Sequence, residues 1–225
     1  MPVAATLARP ERPSGLSLRM DEPGGQAVIV RQLGGADLEA AARLLGRGMR
    51  DNPINARAFG EDPERRTRAL TRFFFPVLRG VHRRGIVMGA WRGDVLLGVS
   101  AAAPPGKCQP GLLEKVSILP AVALGSAGGT VRRVLTWTSA WARLDPREPH
   151  WHLGPVAVDA DRQGQGIGSS LLAEFCGRLD AEKARAYLET DKTENVRFYR
   201  KFGFDVVEQA DILGVPNWFM SRRGT

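Results

Sequence analysis

The feature that most constrains this chain is an apolar strand pattern that runs into a glycine turn and then an amphipathic helix. The strand reads Leu153-Gly154-Pro155-Val156-Ala157-Val158-Asp159, the turn Arg162-Gln163-Gly164-Gln165-Gly166-Ile167-Gly168, and the helix Ser169 to Asp180. Glycines let backbone N–H groups approach a ligand closely. The first turn of a helix leaves N–H donors unpaired and carries partial positive charge. Together these make a ready pyrophosphate site. Ile167, Leu171, Leu172, Phe175 and Leu179 fall on one helix face and bind it to a core.

The rest of the chain reads as a mixed α/β domain built round a central sheet. Residues 1–26 are rich in Pro, Gly, Arg and Ser without periodicity, which predicts a flexible tail. A short strand follows at Ala27–Arg31. Asp37 is a candidate cap for a helix carrying Leu38, Ala41, Leu44 and Leu45. Asp51-Asn52-Pro53 breaks that helix, and Pro63 opens a second one that runs to about Arg79. Strands at Ile86–Trp91 and Val95–Ala103 flank the tight turn Arg92-Gly93-Asp94. A helical insert spans 107–149, with Arg132–Arg143 its clearest helix. After the glycine turn and its helix come a strand at Arg185–Thr190, a helix ending at Gly203, and closing strands at Phe204–Val207 and Trp218–Ser221. One domain over 27–223 accounts for this order.

Composition narrows the function classes. Of 225 residues, 43% are hydrophobic and 25% charged, which describes a globular chain. The net charge of +8 favours anionic ligands. Its arginines are dispersed, and no aromatic RNA-binding motif, zinc-finger spacing or basic arm accompanies them, so no nucleic-acid partner is expected. Two cysteines, Cys108 and Cys176, lie far apart, which suits a reducing compartment and no disulfide framework. The uncharged stretch Val116–Val131 is too short and too broken by Pro120 to span a membrane. Pro and Arg interrupt Met1–Met20 as a signal-peptide core. The expectation is a cytoplasmic protein with no membrane partner.

Beyond the glycine turn, Leu188-Glu189-Thr190 ends a strand, and Asn195-x-x-Phe198-Tyr199-x-x-Phe202-Gly203-Phe204 follows it. This ordered set, from about Trp151 to Met220, resembles the GNAT acetyltransferase family. The resemblance implies a mixed sheet whose two middle strands splay apart, and acetyl-CoA lying in the gap. Backbone groups of Val156, Ala157 and Val158 would pair with the pantetheine arm as if it were a strand. Gln163, Gly164, Gln165, Gly166, Ile167, Gly168 and Ser169 would hold the pyrophosphate. Asn195 and Tyr199 share one helix face beside the cofactor.

The same resemblance sets Tyr199 near the coenzyme sulfur. A phenol of pKa about 10 can protonate a departing thiolate, a general-acid step worth about 10²–10⁴-fold. An ammonium acceptor must first lose a proton. Glu189, at the end of its strand, His150 and His152 are the candidate bases, with Glu189 ahead of His152. His150 and His152 alternate onto one strand face, but the spacing indicates no third ligand, so no metal is expected. Asp51-Asn52-Pro53, Phe73-Phe74-Phe75 and the insert are candidates for the acceptor pocket. The amine itself is not named by the sequence, and pairing of C-terminal strands could make a homodimer.

Two rival readings compete. Strand, glycine turn, helix, strand and then an acidic residue is also the order of a dinucleotide-binding Rossmann unit. However, Gly164, Gly166 and Gly168 are spaced G-x-G-x-G, and little chain remains for further parallel strands. A non-catalytic acyl-CoA-binding module of the same fold is the second.

Overall fold

The computed structural model describes residues 27–109, 118, 120–123 and 128–225. The expected tail at 1–26 and parts of the insert (110–117, 119 and 124–127) lie outside the described residues.

A seven-stranded sheet runs in the order β1-β2-β3-β4-β5-β7-β6. Its strands are β1 (Ile29–Gln32), β2 (Ile86–Arg92), β3 (Val95–Ala103), β4 (Trp151–Val158), β5 (Arg185–Thr190), β6 (Asp205–Ile212) and β7 (Val215–Arg223). Every neighbouring pair is antiparallel except β4 and β5. A Rossmann unit needs a run of parallel strands, so this topology overturns that rival. The mixed central sheet flanked by helices is as expected.

Helices α1 (Leu38–Gly48), α2 (Pro53–Phe59), α3 (Pro63–Arg84) and α4 (Thr130–Leu144) cover one face. Helices α5 (Ile167–Glu182) and α6 (Thr193–Arg200) cover the other. Asp62 caps α3 by accepting from the Arg65 amide at 2.9 Å, and Pro63 takes the first helical position, where no N–H is needed. This helix runs five residues further than its apolar pattern indicates. Asp37 does not cap α1 through its side chain. Its carboxylate turns back to the Gly34 amide at 2.9 Å. Asn52-Pro53 both ends α1's exit turn and starts α2, a short helix that the sequence pattern does not separate. The last two strands are longer than expected, because β6 and β7 form a continuous hairpin through Leu213-Gly214.

The irregularity that matters for function is in β4. Ala102 faces Leu153 and Ser100 faces Val156, so β4 holds one residue more than β3 across this step. Such a bulge bends its strand and reverses the in–out alternation beyond it. Leu153, Val156 and Val158 accordingly all face the α5–α6 side, while Ala157 faces the α1–α4 side. Parallel pairing of β4 with β5 covers only Trp151↔Ala186 and His152↔Tyr187. Past the bulge β4 follows β3 and β5 follows β7, so the two middle strands fork.

Candidate active site

Alternation along β4 decides which backbone groups face the fork. The Asp159 amide donates to Leu97 O at 2.9 Å, toward β3. Antiparallel alternation then directs the backbone of Ala157 to β3, opposite Val99. The backbone groups of Val156 and Val158 point the other way, into the fork. α1 closes in tightly beside them: a Cβ on Gly48 would come within 2.5 Å of Val158 O, so only glycine lets the helix approach. An Arg47–Asp159 ion pair fixes the same corner.

At the open end of the fork lies the glycine turn. Gly166 caps α5 in the left-handed region (φ 77°), which favours glycine. The first helical hydrogen bond runs from the Ser170 amide to Gly166 O at 3.0 Å. The amides of Ile167, Gly168 and Ser169 precede it and have no acceptor within the helix. Gln163, Gly164, Gln165 and Ser169 are exposed, and a Cβ on Gly164 would meet no atom of the described residues within 4 Å. The turn itself is therefore open to solvent beside these donors. On the other side, α6 is seated by Asn195, whose Nδ2 donates to Thr190 Oγ1 at 3.0 Å.

A cavity of about 410 Å³ opens beneath the fork, with His152, Val156, Glu189, Asn195 and Tyr199 among its lining. The structure thus brings the three candidate catalytic side chains, from β4, β5 and α6, to one space. Tyr199 is buried beside Phe198 and Phe204, with ring centroids 5.4 and 6.0 Å away. Burial, then the charges of Asp191 and Glu189, push its phenol well above the ordinary value. It is held in the protonated form. The Glu189 side chain is 3% exposed, and its Oε2 lies 2.9 Å from His152 Nε2.

The expected acceptor segments divide. Asn52, Phe73 and Phe74 line the cavity, as do Trp137 and Trp141 of the insert. Phe75 points outward, 5.8 Å from Arg79. Asp51 is turned to Arg50 and Arg66 at 2.8 and 3.1 Å. Asp191 was not singled out by the sequence, yet it lines the cavity and accepts from the Ile54 amide (2.7 Å) and Asn52 Nδ2 (3.3 Å). Burial raises its pKa. Its position just after β5 was the available signal.

Around His152 gather further groups that sequence spacing does not unite. Cys108 Sγ lies 3.5 Å from His150 Nε2, and that same nitrogen is 3.1 Å from Asp145 Oδ1. Asp145 Oδ1 is also 3.5 Å from His152 Nδ1, too long for a hydrogen bond, and that buried nitrogen has no hydrogen-bond partner among the described residues. Burial pushes the Cys108 thiol up, but the two histidines outweigh it and bring it down to about 7. Burial lowers His150, while Asp145 and Cys108 raise it to about 10. Cys176, by contrast, is a buried core thiol raised to about 11 by burial.

Solved structures share this architecture. A protein described as histone acetyltransferase HPA2 and related acetyltransferase from Corynebacterium glutamicum is 23% identical, with 87% of this chain and 96% of that one covered and a TM-score of 0.64. An agmatine N-acetyltransferase in its apo form is 14% identical over 87% of this chain and 99% of its own, with a TM-score of 0.60. The ribosomal-protein-S18-alanine N-acetyltransferase of Escherichia coli is 14% identical over 87% and 93%, with a TM-score of 0.51. At these identities the likeness concerns the fold. The family itself follows from the sequence match: residues 55–204, from α2 to the last buried phenylalanine before β6, fit the model of the acetyltransferase (GNAT) family. With its forked sheet and glycine turn, this chain belongs to the acetyltransferase (GNAT) family.

Proposed function

We propose that residues 27–223 form one catalytic domain that moves an acetyl group from acetyl-CoA directly to an amine. The observation that carries this reading is the fork between β4 and β5, with the free first-turn amides of α5 at its mouth and Tyr199 and Glu189 on its cavity. Bound there, acetyl-CoA supplies the activated acyl group. Every other step falls to the chain. Ile167, Gly168 and Ser169 amides and the positive end of α5 hold the pyrophosphate, with Gln163 to Gly166 shaping the turn. Val156 and Val158 offer backbone partners to the pantetheine arm, and an amide near Val156 polarises the thioester carbonyl.

Glu189 takes the proton that an ammonium must lose, with His152 fixing its carboxylate. The amine nitrogen then bonds to the acyl carbon as the carbon–sulfur bond breaks. Tyr199 gives its proton to the departing sulfur, and the second proton, shed by the nitrogen as it becomes a neutral amide, restores the phenol. Phe73, Phe74, Trp137 and Trp141, together with Glu189 and Asp191, line the cavity, a combination suited to a cationic amine on an apolar body.

Calorimetry with acetyl-CoA, followed by CoA release across a panel of arylalkyl, polyamine and peptide amines, tests this. Binding of acetyl-CoA with thiol release for a subset of amines is expected. Binding without release for any amine would favour a non-catalytic acyl-CoA module, and failure to bind would remove the reading.

A further inference from the structure

We propose that Cys108, Asp145, His150 and His152 hold one divalent transition-metal ion, zinc by their donor chemistry, in a closed site on the cavity wall. One ligand atom from each lies within 4.8 Å of all the others. Zinc bonds of about 2.0–2.3 Å in a tetrahedron set ligand atoms about 3.3–3.8 Å apart. The separations are 3.5 Å from Cys108 Sγ to His150 Nε2, 3.1 Å from His150 Nε2 to Asp145 Oδ1, and 3.5 Å from Asp145 Oδ1 to His152 Nδ1. Thiolate, imidazole and carboxylate donors together match zinc better than magnesium or calcium, which take oxygen.

The outer contacts aim each ligand inward. His150 Nδ1 donates to Glu148 O at 2.8 Å, which leaves Nε2 for the ion. His152 Nε2 is engaged by Glu189 at 2.9 Å, which leaves Nδ1, the buried nitrogen without a hydrogen-bond partner among the described residues. Gln109 Nε2 donates to Asp145 Oδ2 at 3.1 Å, which leaves Oδ1. Carboxylate and carbonyl partners of this kind fix tautomer and ring orientation at metal sites.

A Cys-His-Asp nucleophilic triad is the competing reading of the same side chains. It requires the thiol and the carboxylate on opposite ring nitrogens. Here both face His150 Nε2, and Nδ1 is spent on a backbone carbonyl. A sulfur and a carboxylate oxygen thus converge on one ring nitrogen, the arrangement a shared cation would take.

Four protein ligands leave no open coordination position, so the ion is structural. It fastens the segment after β3 (Cys108) and the segment after α4 (Asp145 to His150) to the head of β4. Through His152 it also sets the orientation of Glu189. The site stands on its own geometry and does not depend on the acetyl-transfer reading.

The test uses the full chain purified without chelator, with metal read by inductively coupled plasma mass spectrometry. About one zinc per chain is expected for a saturated site. After chelation, titration with cobalt(II) should give intense tetrahedral d–d bands and a thiolate-to-cobalt charge-transfer band. Cys108→Ser should lose the charge-transfer band, and Cys176→Ser should keep it. Chelator should lower the melting temperature of the wild-type chain and leave that of His150→Ala unmoved. A folded wild-type chain with neither zinc nor cobalt bands overturns the proposal, and so does a charge-transfer band that survives Cys108→Ser. These readouts involve neither acetyl-CoA nor turnover, so failure here leaves the proposed function intact, and the converse holds.

Discussion

His152 Nε2 and Glu189 Oε2 meet at 2.9 Å where the backbone pairing of β4 and β5 stops. The fork that would admit a coenzyme is thus bridged at its apex by side chains, and the bridge contains the proposed base. Glu189→Gln keeps the size of the side chain and one acceptor oxygen for His152, but removes the proton-accepting carboxylate. Turnover should fall by about 10²-fold, with acetyl-CoA affinity within a few-fold of wild type. Stopped thiol-release assays and calorimetry on the same preparation separate the two. Unchanged turnover would pass the base role to another group.

Tyr199 should be separable from cofactor binding in the same way. Tyr199→Phe keeps the ring packing on Phe198 and Phe204 and should lower turnover at least about tenfold, at the small end of general-acid effects. The pH dependence has a definite sign. The acid must be protonated to act, and burial followed by the charges of Asp191 and Glu189 holds its pKa above the ordinary 10. Raising pH to about 10 should therefore cause no loss of wild-type kcat from this group. An alkaline limb near pH 8 that disappears in Tyr199→Phe would contradict this assignment.

Gly166 carries the turn's chemistry through its backbone. Replacement by Asp strains a left-handed position (φ 77°) and brings a carboxylate to the amides proposed for the pyrophosphate. Acetyl-CoA affinity should drop at least about a hundredfold, a loss of about 3 kcal/mol, read by calorimetry. Affinity like that of wild type would move the phosphates elsewhere.

What the sequence made legible follows from the range of each interaction. The strand, glycine turn and α5 are specified by residues within about thirty positions, so their order and the turn's open donors could be read directly. The fork was expected only through family resemblance. Its local cause, the extra β4 residue between Leu153 and Val156, is a register offset against β3 and leaves no periodic mark. Short α2 was hidden because Asn52-Pro53 serves as both stop and start. The cluster at Cys108 was illegible for a different reason. His150 and His152 were noticed as a pair, but Cys108 is forty-two residues before His150, and Asp145 sits in an irregular turn after α4. Only packing of the insert against β4 unites them, which is why the spacing of the two histidines indicated no third ligand.

Tyr187 links that same insert to the sheet and makes a test of stability alone. It is 1% exposed, stands on β5 with its ring 6.4 Å from Phe219, and donates its hydroxyl to Leu144 O at 2.9 Å. Leu144 ends α4, so this bond satisfies one of the carbonyls a helix leaves open at its C-terminus. Tyr187→Phe retains the packing and strips only the donor. Stripping the donor from this part-buried acceptor costs about 1–2 kcal/mol, which for a chain of this size is about 2–8 °C in melting temperature. Differential scanning calorimetry should show a loss in that range, with acetyl-CoA affinity unaltered because Tyr187 faces the insert and not the glycine turn. A melting temperature equal to wild type would mean that water reaches Leu144 O once the hydroxyl is gone, and that α4 is held to β5 by apolar contact alone.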